Sequence, residues 1–155
     1  MITRISDDRY IIKMENEKPY GMGVFIDIYP YDGLGTTEKE AVTYGMKGDR
    51  LSSLCYQSTR EHFAIETTTS LFRKIIKYPV FIGSKLIGKD YFQKKLNQLV
   101  KLKEYEDSNY IGCVVWLSGG KKEIFLRKWF DETVMVPFEK YQFRVPKDYD
   151  EVLRH

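Results

Sequence analysis

Asp27 stands in the middle of Gly23–Gly33, GVFIDIYPYDG, a run otherwise rich in strand-forming residues. A charge buried without a partner costs several kcal/mol, on the order of what a small domain can spare. Such a carboxylate is stabilised by an arginine, by several N–H donors or by a metal ion. Strand alternation puts Val24, Ile26 and Ile28 on one face and Phe25, Asp27 and Tyr29 on the other. Asp27 is near the C-terminal end of its strand, where α/β and α+β enzymes often gather catalytic groups. A structural ion pair and a catalytic or metal role are both open to it. Asp32 begins an Asp-Gly pair, for which a turn role alone is sufficient.

Other groups that could do chemistry lie toward the C-terminus. Lys122 follows Gly119-Gly120, and glycines let backbone N–H groups approach an anion, so a phosphate cradle and a plain hairpin turn both suit it. Arg127 could clamp a phosphate bidentately or be an ordinary surface arginine. Glu139 follows Phe138 at a strand end. It could orient a basic contact, accept a hydroxyl proton, or be a turn residue paired with Lys140 or Arg144. His62 and His155 lack metal spacing, and no Ser-His-Asp or Cys-His arrangement emerges. Cys55 and Cys113 read as free thiols in a reducing cytoplasm. Trp116 and Trp129 suit core and rim, or stacking against a sugar.

The elements that must position these groups are short. Extended runs flank Asp7-Asp8 as a possible hairpin, and Val24–Tyr29 reads as a strand ended by Pro30. Thr36-Thr37-Glu38-Lys39-Glu40 is a helix start, leading to a helix over 38–48 weakened by Gly45 and Gly48. A second helix is predicted over 59–77, followed by an apolar connection, YPVFIGSKLIG. The best helix runs from Ile87 to Lys103, with Phe92, Leu96, Leu99 and Val100 on one face. NYIGCVVWL is a buried strand or a packed helix. SGGKKE is a turn, RKWF a short helical turn, 133–138 and 141–145 two strands reversing at Glu139-Lys140, and a last helix starts after Lys147.

The chain of 155 residues suits one domain, 1–155, with a real core. It has no apolar run of membrane-spanning length and no visible signal peptide. Its net charge of +3 is uneven: residues 71–103 hold nine basic residues against Asp90 alone, a charge of +8, which leaves −5 elsewhere. That segment is either the solvated face of two helices or a surface for phosphates, anionic lipid or nucleic acid.

Four blocks resemble the LicD family of phosphotransferases, which includes fukutin-related proteins: GVFIDIYPYDG, SNYIGCVV, KKEIFLRKWF and VPFEKYQFRVPKDYDEVL, in that order. The resemblance implies an α+β fold, part of a nucleotidyltransferase-like mixed sheet with flanking helices and small C-terminal strands. It implies transfer of a phospho-alcohol, phosphocholine or a phosphopolyol, from a CDP-linked donor to a cell-surface glycan such as lipopolysaccharide or teichoic acid. Mg²⁺ or Mn²⁺ would bridge the donor's phosphates to carboxylates including Asp27. Lys122 and Glu123 match the family's Lys-Glu, and Glu139 its Phe-Glu. Asp27 and Glu139 are then the catalytic candidates, with Asp32, Lys122, Glu123 and Arg127 binding substrate. The family's dense aspartate motif before the first block is absent, so the chain reads as the C-terminal portion of such an enzyme. It is expected to be inactive alone, and to need a complementary N-terminal chain or to self-associate through an unpaired sheet edge. A location in the cytoplasm, peripheral at the inner face of the membrane, goes with this reading. The alternative is a non-catalytic module docking its basic helices on nucleic acid, anionic membrane or an acidic partner, nucleic acid being the less favoured.

Overall fold

The computed structural model describes residues 3–7, 9–11, 23–63, 71–116 and 120–155, with side chains in the second helix from 74 onward. They form an α+β fold in which every described strand pair is antiparallel. The strands make three small sheets, where the family resemblance implies a mixed one. Of the second run of the expected N-terminal hairpin, Arg9, Tyr10 and Ile11 are not in a strand, and the rest lies outside the described residues. Strand β1 (Thr3–Ser6) instead pairs with β2 (Phe25–Ile28), setting Arg4 opposite Asp27 and Ile5 opposite Ile26. Contacts divide the chain into two units, Met1–Pro30 with Asp49–Leu99, and Tyr31–Gly48 with Val100–His155.

The first unit holds β1, β2, the second half of helix α1 (Glu38–Thr59), helix α2 (Leu71–Ile87) and most of helix α3 (Lys89–Val100). Phe81, Ser84, Phe92, Leu96 and Leu99 are buried there. Helix α2 absorbs all but the last residue of the stretch YPVFIGSKLIG, read from sequence as a connection, with Pro79 inside it. Proline removes one N–H from the ladder, yet helix continues on both sides because Phe81 and Ser84 reach the packed face. The break comes at Gly88, whose φ of +86° is the left-handed conformation of a helix C-terminal glycine and whose N–H reaches the Ser84 carbonyl at 2.9 Å.

In the second unit, β3 (Asp32–Gly35), β4 (Tyr110–Gly112) and β5 (Phe125–Leu126) form one sheet in the order β3-β4-β5. Leu34, Ile111 and Val114 are fully buried, each contributing about 1.5–3 kcal/mol. Phe125 sits among rings, 5.4 Å from Tyr31 and 5.9 Å from Phe130 between centroids. Helix α1 starts as its sequence predicts: Thr37 Oγ1 accepts the Glu40 N–H at 3.3 Å, while the Glu40 carboxylate accepts the Thr36 N–H at 3.0 Å, a capping box with its return bond one residue early. The final hairpin is also as expected, β6 (Thr133–Phe138) against β7 (Tyr141–Pro146), followed by helix α4 (Tyr149–Arg154). Among the described residues no helix is long and apolar enough to cross a membrane.

Helix α1 runs through Gly45 and Gly48 where sequence propensity weakens it. Both glycines are buried, and a Cβ on Gly48 would lie 2.3 Å from the Val114 carbonyl oxygen. Gly48→Ala therefore sets a propensity gain of about 1 kcal/mol against a backbone collision that costs more. Denaturant unfolding is expected to show a net loss of about 1–2 kcal/mol.

Candidate functional site

Asp27 takes the first of the three partners open to it. Arg4, directly across the β1–β2 ladder, donates from Nε to Oδ1 at 2.6 Å and from Nη2 to Oδ2 at 3.1 Å. The same guanidinium lies 3.7 Å from the centre of the Phe25 ring. Side chains directly opposite on one face of an antiparallel pair are within reach, and a two-point guanidinium–carboxylate contact is the strongest such pairing. The Arg4 hydrogen bond holds the Asp27 carboxyl below its usual range. With both oxygens engaged this way, and no group of three or more His, Cys, Asp or Glu side chains among the described residues, the residues present do not fit the divalent cation that the family resemblance implies. The β2 faces are also reversed from a core strand: Val24, Ile26 and Ile28 are exposed, and Phe25 and Asp27 are the half-buried pair.

The other sequence-predicted residues belong to the second unit. Asp32 is half-buried in β3 opposite Gly112, so it is a strand residue and not a turn residue. Burial raises its carboxyl pKa, opposed by a hydrogen bond from the Val114 backbone. Arg127 is engaged: Nε donates to the Ser108 carbonyl at 2.9 Å and Nη1 to Asp131 Oδ1 at 3.1 Å. It is a clamp between segments more than a free phosphate ligand. Glu139 is exposed at the tip of the β6–β7 hairpin, with φ of +53°. It lies at none of the pockets described below.

Lys122 and Glu123 belong to a 3₁₀ turn, Gly120–Glu123; the preceding Gly119 lies outside the described residues. Lys122 lines an open pocket of about 380 Å³. Val42, Ile124, Leu126 and Trp129 make its apolar wall, with Lys121, Lys122, Glu38 and His155 supplying charge and polarity. Lys121 Nζ bonds Glu38 Oε1 at 2.8 Å, which lowers the Glu38 pKa and raises that of Lys121. Lys122 makes no ion pair among the described residues, so its ammonium is the uncommitted cation of this pocket. His155 Nε2 is 2.8 Å from the Ile124 carbonyl. A carbonyl only accepts, so Nε2 carries the proton and, in the neutral ring, Nδ1 is left as acceptor. Its ring also meets Phe125 and Trp129, at 5.5 and 5.4 Å. Sequence spacing held no signal for His155, because its partners are brought to it by folding.

Ser108 and Asn109 hold the pocket's walls in register. The buried Ser108 hydroxyl accepts the Gly35 N–H at 3.2 Å and donates to the Glu104 carbonyl at 2.8 Å. The Asn109 N–H donates to Gly35, its side-chain amide to the Thr36 carbonyl, and its own carbonyl accepts the Arg127 N–H. The end of β3, the start of α1 and the 3₁₀ turn Arg127–Phe130 therefore share one polar node.

No family model, curated protein or solved structure matches this chain.

Two outcomes follow from this geometry. The depressed folded pKa of Asp27 means that its ion pair contributes fully above the unfolded value, about 3.9, and fades as pH falls through the lower folded one. Asp27→Asn should lower the melting temperature near neutral pH, with the deficit against the parent closing below about pH 4. Millimolar Mn²⁺ should leave the parent's melting temperature unchanged, and a rise abolished by Asp27→Asn would instead put a cation at this carboxylate. Separately, a non-glycine residue at positive φ is strained, so Glu139→Gly should stabilise the fold by up to about 1 kcal/mol in chemical unfolding, whereas a binding or catalytic Glu139 would make that change costly to function.

Proposed function

We propose that the chain is part of a LicD-like phosphotransferase, and that it seats a phosphate-bearing donor of the CDP-alcohol class in the pocket bounded by Lys121, Lys122 and Trp129. The observation that carries this reading is where the pocket comes from. Lys121, Lys122, Ile124, Leu126 and Trp129 all belong to KKEIFLRKWF, the block that resembles the family's Lys-Glu and aromatic pair. One segment, running from the Gly120–Glu123 turn through β5 to the Arg127–Phe130 turn, thus supplies both lysines and most of the apolar wall.

The chemistry suits an amphiphilic anion. A ring or alkyl portion lies against Trp129, Leu126 and Val42, while phosphate oxygens meet the Lys122 ammonium, a flexible point charge suited to phosphate. Lys121 adds a smaller share, since Glu38 already balances it. His155 offers its ring Nδ1 as an acceptor toward a hydroxyl. Phosphoryl-type transfer also needs charge neutralisation and in-line positioning at the reacting phosphate. The described side chains at the pocket bind and orient an anion, so binding without turnover is the activity proposed for this chain by itself. A cytoplasmic location goes with the reading, and the free thiols of Cys55 and Cys113 agree with it.

Titration calorimetry with CDP-choline, with cytidine as the phosphate-free control, tests it. The parent should bind CDP-choline more tightly than cytidine. Lys122→Glu should weaken that binding by about tenfold or more, the scale of one charge-assisted contact, and Lys121→Ala by less. Absent heats, or equal binding in Lys122→Glu with an unchanged melting temperature, would remove the reading.

A further inference from the structure

The second helix turns the wrong side outward for a protein in water. Going round α2 at 100° per residue, Tyr78, Ile82, Ile75, Leu86, Ile76 and Val80 succeed one another over about 200° of the surface. Leu86 is 83% exposed, Ile75 70% and Ile76 53%. Pro79, Gly83 and Ile87 complete the arc, and a Cβ on Gly83 would meet nothing within 4 Å. No charged residue falls inside it. Phe81 and Ser84, which are buried, occupy the narrow opposite side together with Lys74, Lys77 and Lys85.

Lys85 flanks Tyr78 at one edge of this arc. Lys85, Lys77 on the opposite side of α2, and Lys89, Lys94 and Lys95 on α3 are all exposed. Asp90 is the one acid between Leu71 and Lys103, which leaves the segment at +8. We propose that α2 lies flat in the interface of an anionic lipid bilayer, its isoleucines and Leu86 inserted among the upper acyl chains, with Lys85 and the exposed lysines of α3 at the headgroups. A helix with a broad apolar arc and lysine flanks binds this way, and long lysine side chains reach the headgroups while their stems stay apolar. Its seventeen residues span about 25 Å, and it does not meet the requirements of a membrane span, so it lies on the surface and does not cross.

Charge complementarity selects this occupant. Nucleic acid would put cations at the centre of the contact, where this helix has none. A second copy meeting the face about a two-fold axis would bring two segments of +8 charge together. An anionic bilayer satisfies both features at once: hydrocarbon for the arc and negative charge for the lysines. The inference uses residues of the first unit and does not depend on the pocket reading.

Flotation with vesicles tests it, comparing pure phosphatidylcholine with a mixture containing about 30 mol % phosphatidylglycerol. The full chain should float with the mixed vesicles, poorly with the neutral ones, and less as salt is raised. Leu86→Glu and Ile75→Glu, at exposed positions that leave the melting temperature unchanged, should each weaken binding at least tenfold. Reversing Lys85 and Lys94 to Glu should cost about fivefold per lysine and flatten the salt dependence. No flotation, or flotation indifferent to Leu86→Glu, would overturn the proposal. So would a dimer in sedimentation that Leu86→Glu disperses, or a single-stranded oligonucleotide bound more tightly than the mixed vesicles.

Discussion

Ser108 and Asn109 carry the constraint on which the second unit depends. Within two residues the chain satisfies donors and acceptors from the end of β3, the residue Thr36 leading into α1, the preceding loop and the Arg127 turn. Ser108 is 2% exposed, so its hydroxyl is shielded from water, and leaving the buried Gly35 N–H bond unmade carries the desolvation cost. The pocket inherits its shape from that node. Glu38 and Val42 enter through α1, Tyr110 through β4, and Trp129 through the Arg127 turn. The α1 pair Glu38 and Val42, Tyr110 and Trp129 are far apart in sequence and meet at one pocket.

The first unit is organised by a different pairing. Arg4 and Asp27 meet because β1 and β2 are in register, and the pair half-buries Phe25 beneath the guanidinium. An acid in an apolar strand is a demand for a partner, and local sequence does not say which kind. The ladder decides it: Arg4 is twenty-three residues back in sequence and directly across in space. With both Asp27 oxygens held by Arg4, the cations at an open pocket are Lys121 and Lys122 of the second unit.

Both units combine a buried apolar core with exposed apolar side chains. The second unit keeps lysines at the rim of a pocket. The first unit leaves isoleucines of β2 and α2 in solvent, with Lys85 at the edge of the α2 face. Exposed apolar surface on this scale marks an interaction face, and the nearby lysines narrow what can cover it.

Much of the local structure was legible in the amino-acid order. The Thr37–Glu40 cap, the lysine-flanked helix α3, the short Arg127 turn and the two-residue reversal at Glu139-Lys140 each follow from neighbours within a few residues, where propensity and hydrogen bonding are local. Other features depend on residues far away in sequence. Pro79 and the apolar run around it look like a connection until Phe81 and Ser84 find a core to enter. Gly45 and Gly48 look like helix breakers until Val114 packs against the second of them. Asp32-Gly33 looks like a turn until β4 pairs with it, and His155 has no role until Ile124, Phe125 and Trp129 surround it. Sequence by itself determined the chemical types on offer, the α+β class and the charge imbalance of residues 71–103. Tertiary structure alone decided which cation faces Asp27, which of the two pocket lysines Glu38 engages and which side of α2 meets solvent, because each of those is settled by a neighbour that the chain brings close only on folding.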